Sequence, residues 1–334
     1  MPLSKTNHDK PLRILVTGSR GKSSIVRLLH TGLKNADLQS HGRITGVIPR
    51  ELGPNETRVI SRSSGAHVEE MRWWLNTLPK SAQAIVMENS AISPDLQGLA
   101  GIWLQPDIIV LSNVFPDHQE VWGPSGACAA EVLTAGIPTE SEVVIPADLE
   151  TDSYLVGLLN RRRCKINLAA PVRDTDPGFQ ATNLGLALTS MELLGLETAP
   201  ALKSMLGLRP DSYDFRVVEH RGAELAMAFS ANDISSTRTL FQSLSWHEEE
   251  TRLIYNHRKD RPGRFRSFLG WLNKSCWRDV LVIGDKPSMR HCSGRYMRTK
   301  NVEELLELFQ PGERVFGCGN IAGLPMALAA GLDT

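Results

Sequence analysis

The chain has 334 residues, 41% of them hydrophobic and 22% charged, and its 37 basic residues balance 37 acidic ones. That length allows about two domains with a buried core, and the composition excludes disordered and fibrous classes. The zero formal net charge argues against a protein whose main task is coating nucleic acid or an anionic membrane, so any anion site must be local. The opening "MPLSKTNHDKPLR" lacks the apolar core of a signal peptide, and no run approaches the roughly 18 apolar residues of a membrane span. Cys128, Cys164, Cys276, Cys292 and Cys318 show no C-x-x-C spacing and do not pair evenly, which reads as a reduced, cytoplasmic chain without a zinc site.

In chain order, Ile14, Leu15 and Val16 predict a short strand. A loop with Gly18 and Gly21 follows, and Ile25, Leu29 and Leu33 then recur at the spacing of one helix face. Further strands are expected at "AIVME" (84), "DIIVLSNV" (107) and "EVVIPA" (142), with helices over Glu69 to Leu78 and Pro94 to Trp103 between them. Such alternation predicts a mostly parallel sheet covered by helices. A leucine-rich helical run from Ala181 to Leu206, broken at Pro200, is expected to pack on this first domain. Strand signals restart at 224, 251, 278 and 313, so we expect domains at 1–215 and 216–334, the second a smaller Rossmann-like α/β unit.

The strand–loop–helix at 13–33 suits an anionic guest. Gly18 and Gly21 permit tight backbone geometry, the helix start offers unpaired N–H groups, and Lys22 adds a cation. The loop departs from the full P-loop, because Val16 stands where that pattern needs a glycine. Ser23 and Ser24 nonetheless follow the lysine, where a hydroxyl serves as a ligand to nucleotide-associated Mg2+. Glu88 closes one predicted strand, and Asn113, Asp117 and His118 follow another. Ligands of open α/β sheets gather at such carboxyl ends, so Glu88 would supply a hard oxygen and His118 an imidazole nitrogen, directly or through water.

Three polar stretches follow strands of the second domain: "FSANDISSTR" (229–238), "NHRKDRPGR" (256–264) and "GCGNIAG" (317–323). Arg258, Arg261 and Arg264 could grip a carboxylate or phosphate in bidentate fashion. The last stretch departs from a dinucleotide fingerprint in its glycine spacing and has no acidic residue downstream at the required distance, so no nicotinamide or flavin cofactor is expected.

These residues lead to a family. "TGSRGKSS" resembles the T-G-[TS]-x-G-K-[ST]-[ST] loop of the Mur ligase superfamily, ATP-dependent enzymes that join an amine to a carboxylate through an acyl phosphate. With "GRITGVIPR", "AIVMENSAISPDLQ", "SNVFPDHQEVWGP" and the three second-domain stretches in the same order, the chain resembles the ligase subunit of poly-γ-glutamate synthase. The resemblance implies a P-loop-type ATPase domain followed by the smaller α/β domain. It implies ATP binding through Gly18, Ser19, Arg20, Gly21, Lys22, Ser23, Ser24, Asn232 and Asp233, and Mg2+ binding through Ser23, Glu88 and His118. Catalytic roles would fall to Lys22, Glu88, His118, Arg258 and Arg261. The implied substrate is glutamate or a similar γ-glutamyl-like acid, joined in γ-amide linkage.

The same resemblance implies a small integral-membrane synthase subunit as partner, which would hold the cytoplasmic chain at the inner face of the membrane. No nucleic-acid partner is expected, and a homo-oligomer is compatible with the sequence. Residues 119–145 contain no lysine, whereas many Mur ligases carry a carbamylated lysine there and poly-γ-glutamate ligases usually lack it. The family's usual hydrophobic anchor is absent from the start of this sequence, and its "E-C-M-A-V" stretch reads "ENSAI" here. A soluble ligase making a discrete amide, or a nucleotide-binding regulatory subunit without ligase activity, are the alternative readings.

Overall fold

The computed structural model describes residues 10–62, 65–173, 179–209, 211, 213–231, 233–274, 276–288 and 292–332, and it divides into two compact units, one ending at Leu208 and one beginning at Arg209. The first unit runs β1 (Leu12–Thr17), α1 (Lys22–Asn35), β2 (Ser40–Ile44), β3 (Arg50–Leu52), β4 (Thr57–Val59), α2 (Glu70–Thr77), β5 (Ala84–Glu88), α3 (Gly98–Leu104), β6 (Ile108–Leu111), α4 (Gln119–Trp122), α5 (Gly126–Ala135), β7 (Glu142–Pro146), α6 (Ser153–Arg161), β8 (Lys165–Ala169), α7 (Phe179–Leu193) and α8 (Ala199–Leu206). Its eight strands lie in the order β4-β3-β2-β5-β1-β6-β7-β8. All neighbours are parallel except the β2–β3 and β3–β4 pairs.

The central strands are buried on both faces, and their period of two divides the core. Ile14, Val16, Val86 and Val110 pack with α1 and α7, whereas Leu15, Ile85, Met87 and Ile109 pack with α2, α3 and α5. Each such buried aliphatic side chain stabilises the fold by about 1.5–3 kcal/mol. The leucine-rich run packs on the first unit as two helices, and a Cβ on Gly32 of α1 would lie 2.5 Å from Met191 Sδ and from Met205 Cε. Glycine at this position leaves room for the Met191 and Met205 side chains of α7 and α8 against α1. Pro200 falls in the first turn of α8, where its missing N–H costs nothing.

The sequence reading missed β2, β3, β4 and β8. β2 reads "SHGRI", β4 is three exposed residues, and β8 is the edge strand "KINLA". None has the apolar run that marks a central strand.

The second unit runs β9 (Val217–His220), β10 (Ala223–Met227), α9 (Ile234–Ser243), β11 (Thr251–His257), α10 (Pro262–Leu272), β12 (Asp279–Gly284), β13 (Arg295–Tyr296), α11 (Val302–Leu306), β14 (Arg314–Cys318) and α12 (Leu324–Gly331). Its sheet order is β13-β12-β11-β14-β10-β9, antiparallel only at β9–β10. Leu253, Tyr255, Val282 and Phe316 face one core, and Leu225, Ile254, Leu281 and Val315 the other. Among the described residues no helix is long and apolar enough to cross a membrane.

Candidate active site

β1 lies between β5 and β6, with Val16 level with both Glu88 and Val110, so the loop after β1 emerges between the two strand ends. Gly18 adopts φ +127°, and a Cβ there would meet Ser112 Oγ at 2.1 Å. The glycine therefore lets the loop lie directly on the end of β6. Gly21 adopts φ +78° and caps α1 without a side-chain hydrogen bond, which leaves the first N–H groups of a 14-residue helix directed at the loop. Asn183 of α7 stands beside it, its Oδ1 3.0 Å from where a Gly21 Cβ would be.

The loop is anchored along its length. Ser19 Oγ donates to Phe115 O at 2.6 Å, Arg20 N to Asn113 Oδ1 at 3.1 Å, and Asn113 Nδ2 to Arg20 O at 3.2 Å. The Arg20 guanidinium pairs with Asp117 Oδ2 at 2.6 Å. Lys22 Nζ donates back to Gly18 O at 2.7 Å. Burial lowers the Lys22 pKa, against the opposing pull of Glu88 and Asp117. Ser24 is half-buried in the first turn of α1.

Glu88 is buried at the end of β5 and accepts three hydrogen bonds: from Ser23 Oγ at 2.8 Å, from Thr45 N at 3.0 Å and from Thr45 Oγ1 at 2.9 Å. Thr45 directly follows β2, whose Arg43 is only 1% exposed and pairs with Glu70 of α2 at 2.7 Å. Arg62 grips the same carboxylate. Sequence reasoning assigned no role to Thr45, Arg43 or Asn183. Thr45 and Arg43 sit inside the stretch "GRITGVIPR", but only the parallel β2–β5 pairing brings Thr45 to Glu88.

His118 has a left-handed backbone, φ +42°, and its N–H donates to Asp117 Oδ1 at 2.9 Å. Its ring Nε2 lies 3.6 Å from Asp117 Oδ2, and the ring leans on Trp122. Burial opposes the charge of Asp117, yet Arg20 and His118 hold its carboxyl below the ordinary aspartate range.

The donor set around Ser23, Glu88 and Thr45 consists of hard oxygens beside an anion-seeking loop. That fits Mg2+, which takes one or two carboxylates together with phosphates and waters rather than an all-protein cage. Among the described residues no group of three or more His, Cys, Asp or Glu side chains forms a metal cluster. Ser23 and Glu88 are in direct contact, whereas the nearest carboxylate to His118 is Asp117.

In the second unit, Asn256 and Asn320 bind each other reciprocally. Asn256 Nδ2 donates to Asn320 O at 2.6 Å and to Ala322 O at 2.8 Å, and Asn320 Nδ2 donates to Asn256 O at 3.0 Å. This joins the ends of β11 and β14. Arg264 donates to Asn320 Oδ1 and, at 3.4 Å, to Gly319 O. Arg258 pairs with Asp260 through bonds of 2.9 and 2.6 Å. Of the three arginines read as one gripping cluster, two thus have internal partners, whereas the Arg261 side chain makes no hydrogen bond or ion pair among the described residues and only its charge acts on Asp260. His257 is buried with Nδ1 unbonded, and burial lowers its pKa against Asp285 and Asp260. Asp233 caps α9 by accepting from Ser236 N at 2.8 Å, and Asn232 lies outside the described residues.

A phosphate-type loop between two polar strand ends, in a chain with a second α/β unit, fits a nucleotide-binding enzyme. The sequence matches the Mur ligase middle domain over residues 16–191 and the poly-gamma-glutamate synthase CapB C-terminal domain over 212–334. The chain belongs to the Mur ligase family. It is 28% identical to the PGA synthase CapB of Bacillus subtilis (strain 168), over 96% of this chain and 91% of that protein. It is 25% identical to the capsule biosynthesis protein CapB of Bacillus anthracis, over 94% and 74%. The fold is shared with the folylpolyglutamate synthase of Thermotoga maritima (TM-score 0.66, 12% identity, 98% of this chain and 90% of that one). It is shared equally with the MurF ligase of Thermotoga maritima in complex with ADP (TM-score 0.67, 16% identity, 97% and 81%). The protein is thus an ATP-dependent carboxylate–amine ligase of the Mur type, acting through an acyl phosphate.

Proposed function

We propose that this ligase joins glutamate, or a similar γ-glutamyl-like acid, in γ-amide linkage, as its relatives named for poly-γ-glutamate synthesis suggest. The observation that carries the site assignment is the hydrogen-bonded set Ser23, Glu88 and Thr45 directly beside the Lys22 loop. In this reading residues 1–215 bind ATP, and 216–334 serve as the smaller ligase domain. Gly18, Ser19, Arg20, Gly21, Lys22, Ser23 and Ser24 are the proposed holders of the triphosphate, and Asn232 and Asp233 are candidate nucleotide contacts by family resemblance alone. Loop N–H groups and the Lys22 ammonium offset charge on the transferring phosphoryl group, because this chemistry rests on positioning and electrostatics.

Ser23, Glu88 and His118 are the proposed holders of Mg2+, which when bound would neutralise phosphate charge. Glu88 stays fixed because three donors restrain its two oxygens. Arg261 and Arg258 are the proposed contacts of the acidic substrate, with Arg261 the better placed because its side chain is not committed elsewhere among the described residues. Polymer formation would involve a membrane subunit that places the chain at the inner face of the membrane.

The test offers the purified protein ATP and Mg2+ with glutamate or γ-glutamyl peptides, and separately with neutral and basic amino acids. Phosphate release and product mass are followed. Glutamate-dependent phosphate release with a γ-linked amide supports the proposal, and stimulation by neutral or basic amino acids alone refutes it.

A further inference from the structure

We propose that Asp117 is a positioning residue with two tasks: it is the counter-charge of Arg20 within the phosphate-type loop, and it anchors His118 through the same carboxylate. The inference rests on the reading of the Lys22 loop as the triphosphate site. Asp117 Oδ2 takes Arg20 Nη1 at 2.6 Å, and Asp117 Oδ1 takes the His118 N–H at 2.9 Å. The Arg20 and Asp117 side chains are 15% and 11% exposed, so the pair is largely withdrawn from water, and loss of one partner leaves a poorly solvated charge.

Arg20 has little freedom to drift. Its N–H and C=O are both bound by Asn113, and Ser112 Oγ also donates to its carbonyl. The Arg20 backbone is therefore fixed between the two loop glycines, and its guanidinium is held by Asp117, which offsets part of the charge it offers to phosphate. The left-handed backbone of His118 has a related origin. That conformation is uncommon for a residue with a Cβ, and the Asp117 carboxylate supports it by accepting the His118 N–H. A carboxylate beside an imidazole is also the usual means of fixing ring orientation.

The two charges have opposite expected effects on nucleotide binding, which separates this role from a merely structural one. ADP affinity is measured by calorimetry on the whole chain with Mg2+, and turnover by phosphate release. Arg20→Met should weaken ADP binding about tenfold, because it leaves the Asp117 charge uncancelled beside the phosphates. Asp117→Asn removes the counter-charge but keeps an acceptor for His118, so ADP binding should be unchanged or tighter. The double variant should regain an affinity within about threefold of the parent, a non-additive result for neighbours. Asp117→Ala also removes the anchor, and its kcat should fall about 10–100-fold, while Asp117→Asn keeps a larger share of kcat.

If Arg20→Met and Asp117→Asn weaken ADP binding alike and the double variant binds no tighter than either, the pair is only structural, and if their effects add the two residues are not coupled; either result overturns the proposal. If Lys22→Ala binds ADP as the parent does, the loop is not the nucleotide site. In that case the underlying reading fails, and the inference with it.

Discussion

Ser23 Oγ and Glu88 Oε2 lie 2.8 Å apart although 65 positions separate them in the chain. The parallel pairing of β1 with β5 creates that meeting, because it levels Val16 with Glu88 and leaves the loop after β1 to turn across the end of β5. Lys22 follows from the same geometry. Its ammonium is held by Gly18 O, within a loop that only a left-handed glycine lets settle on Ser112.

Lys22→Ala is therefore expected to abolish ATP turnover, by about 100-fold or more, as for loss of one preorganised donor at a site of developing charge. Stability should stay close to the parent value, since the lysine side chain packs no core. Phosphate release and a thermal melt check both parts. A variant that keeps near-normal ATP consumption removes Lys22 from the site.

Thr45→Val keeps side-chain volume and deletes the Oγ1 hydrogen bond of 2.9 Å to Glu88. Hydrogen bonds to a charged group contribute about 1.5–3 kcal/mol. A loss near the lower end is expected, because Ser23 Oγ and Thr45 N still bind the other oxygen. The Mg2+ titration of turnover should shift to higher concentration, and Glu88→Gln should shift it further. Titration curves superimposable on the parent's would show that Glu88 has no part in metal use.

The carboxyl end of a parallel sheet is where ligands gather, and the placement of the loop, Glu88 and His118 after strongly apolar strands was legible in the sequence. Thr45 was not. It follows the weakly apolar strand "SHGRI", whose position beside β5 depends on a long-range pairing rather than on local pattern. The arginines of "NHRKDRPGR" have internal partners that were not legible either. Their spacing suggested one cluster, but Arg258 turns to Asp260 two residues away, and Arg264 to Asn320 on a loop 56 residues further on. Charge in a sequence shows no partner, so ion pairing of this kind is visible only after folding. The break between the two units was marked by the restart of strand signals, while its position near Leu208 depends on α8 packing against α1.

His30 gives a pH test of the core. It is 8% exposed on α1, with Nδ1 3.0 Å from Ser40 Oγ, and burial lowers its pKa to about 4. Between about pH 4 and 6.5 the unfolded chain binds a proton at this site that the folded chain does not, so stability rises with pH across that window and is lost as pH falls through it. The expected loss approaches about 3 kcal/mol by pH 4. Urea unfolding at pH 7 and pH 5 should show a smaller difference for His30→Gln than for the parent. An equal difference in the two proteins would exclude His30 as a source of acid sensitivity.

Arg261 and Arg258 should differ sharply in their importance to substrate choice, although three positions separate them. Arg258 is already neutralised by a two-bond pairing with Asp260, and both side chains are substantially exposed. An incoming carboxylate would have to compete with Asp260 for the same donors. Arg261 stands at the start of α10, where its N–H donates to Arg258 O at 3.1 Å, and its guanidinium acts on Asp260 only through its charge, without a hydrogen bond or ion pair among the described residues. A guanidinium offers a carboxylate two parallel donors, a geometry that lysine cannot reproduce. Arg261→Gln should thus raise KM for the acidic substrate by at least about tenfold, the equivalent of one charged hydrogen bond, with ADP affinity unchanged. Arg258→Gln should change KM much less. Arg261→Lys should recover only part of the loss, because it restores the charge without the fork. Steady-state kinetics with glutamate as the varied substrate separates these outcomes, and equal KM values for the parent and Arg261→Gln would show that the acidic substrate is recognised elsewhere.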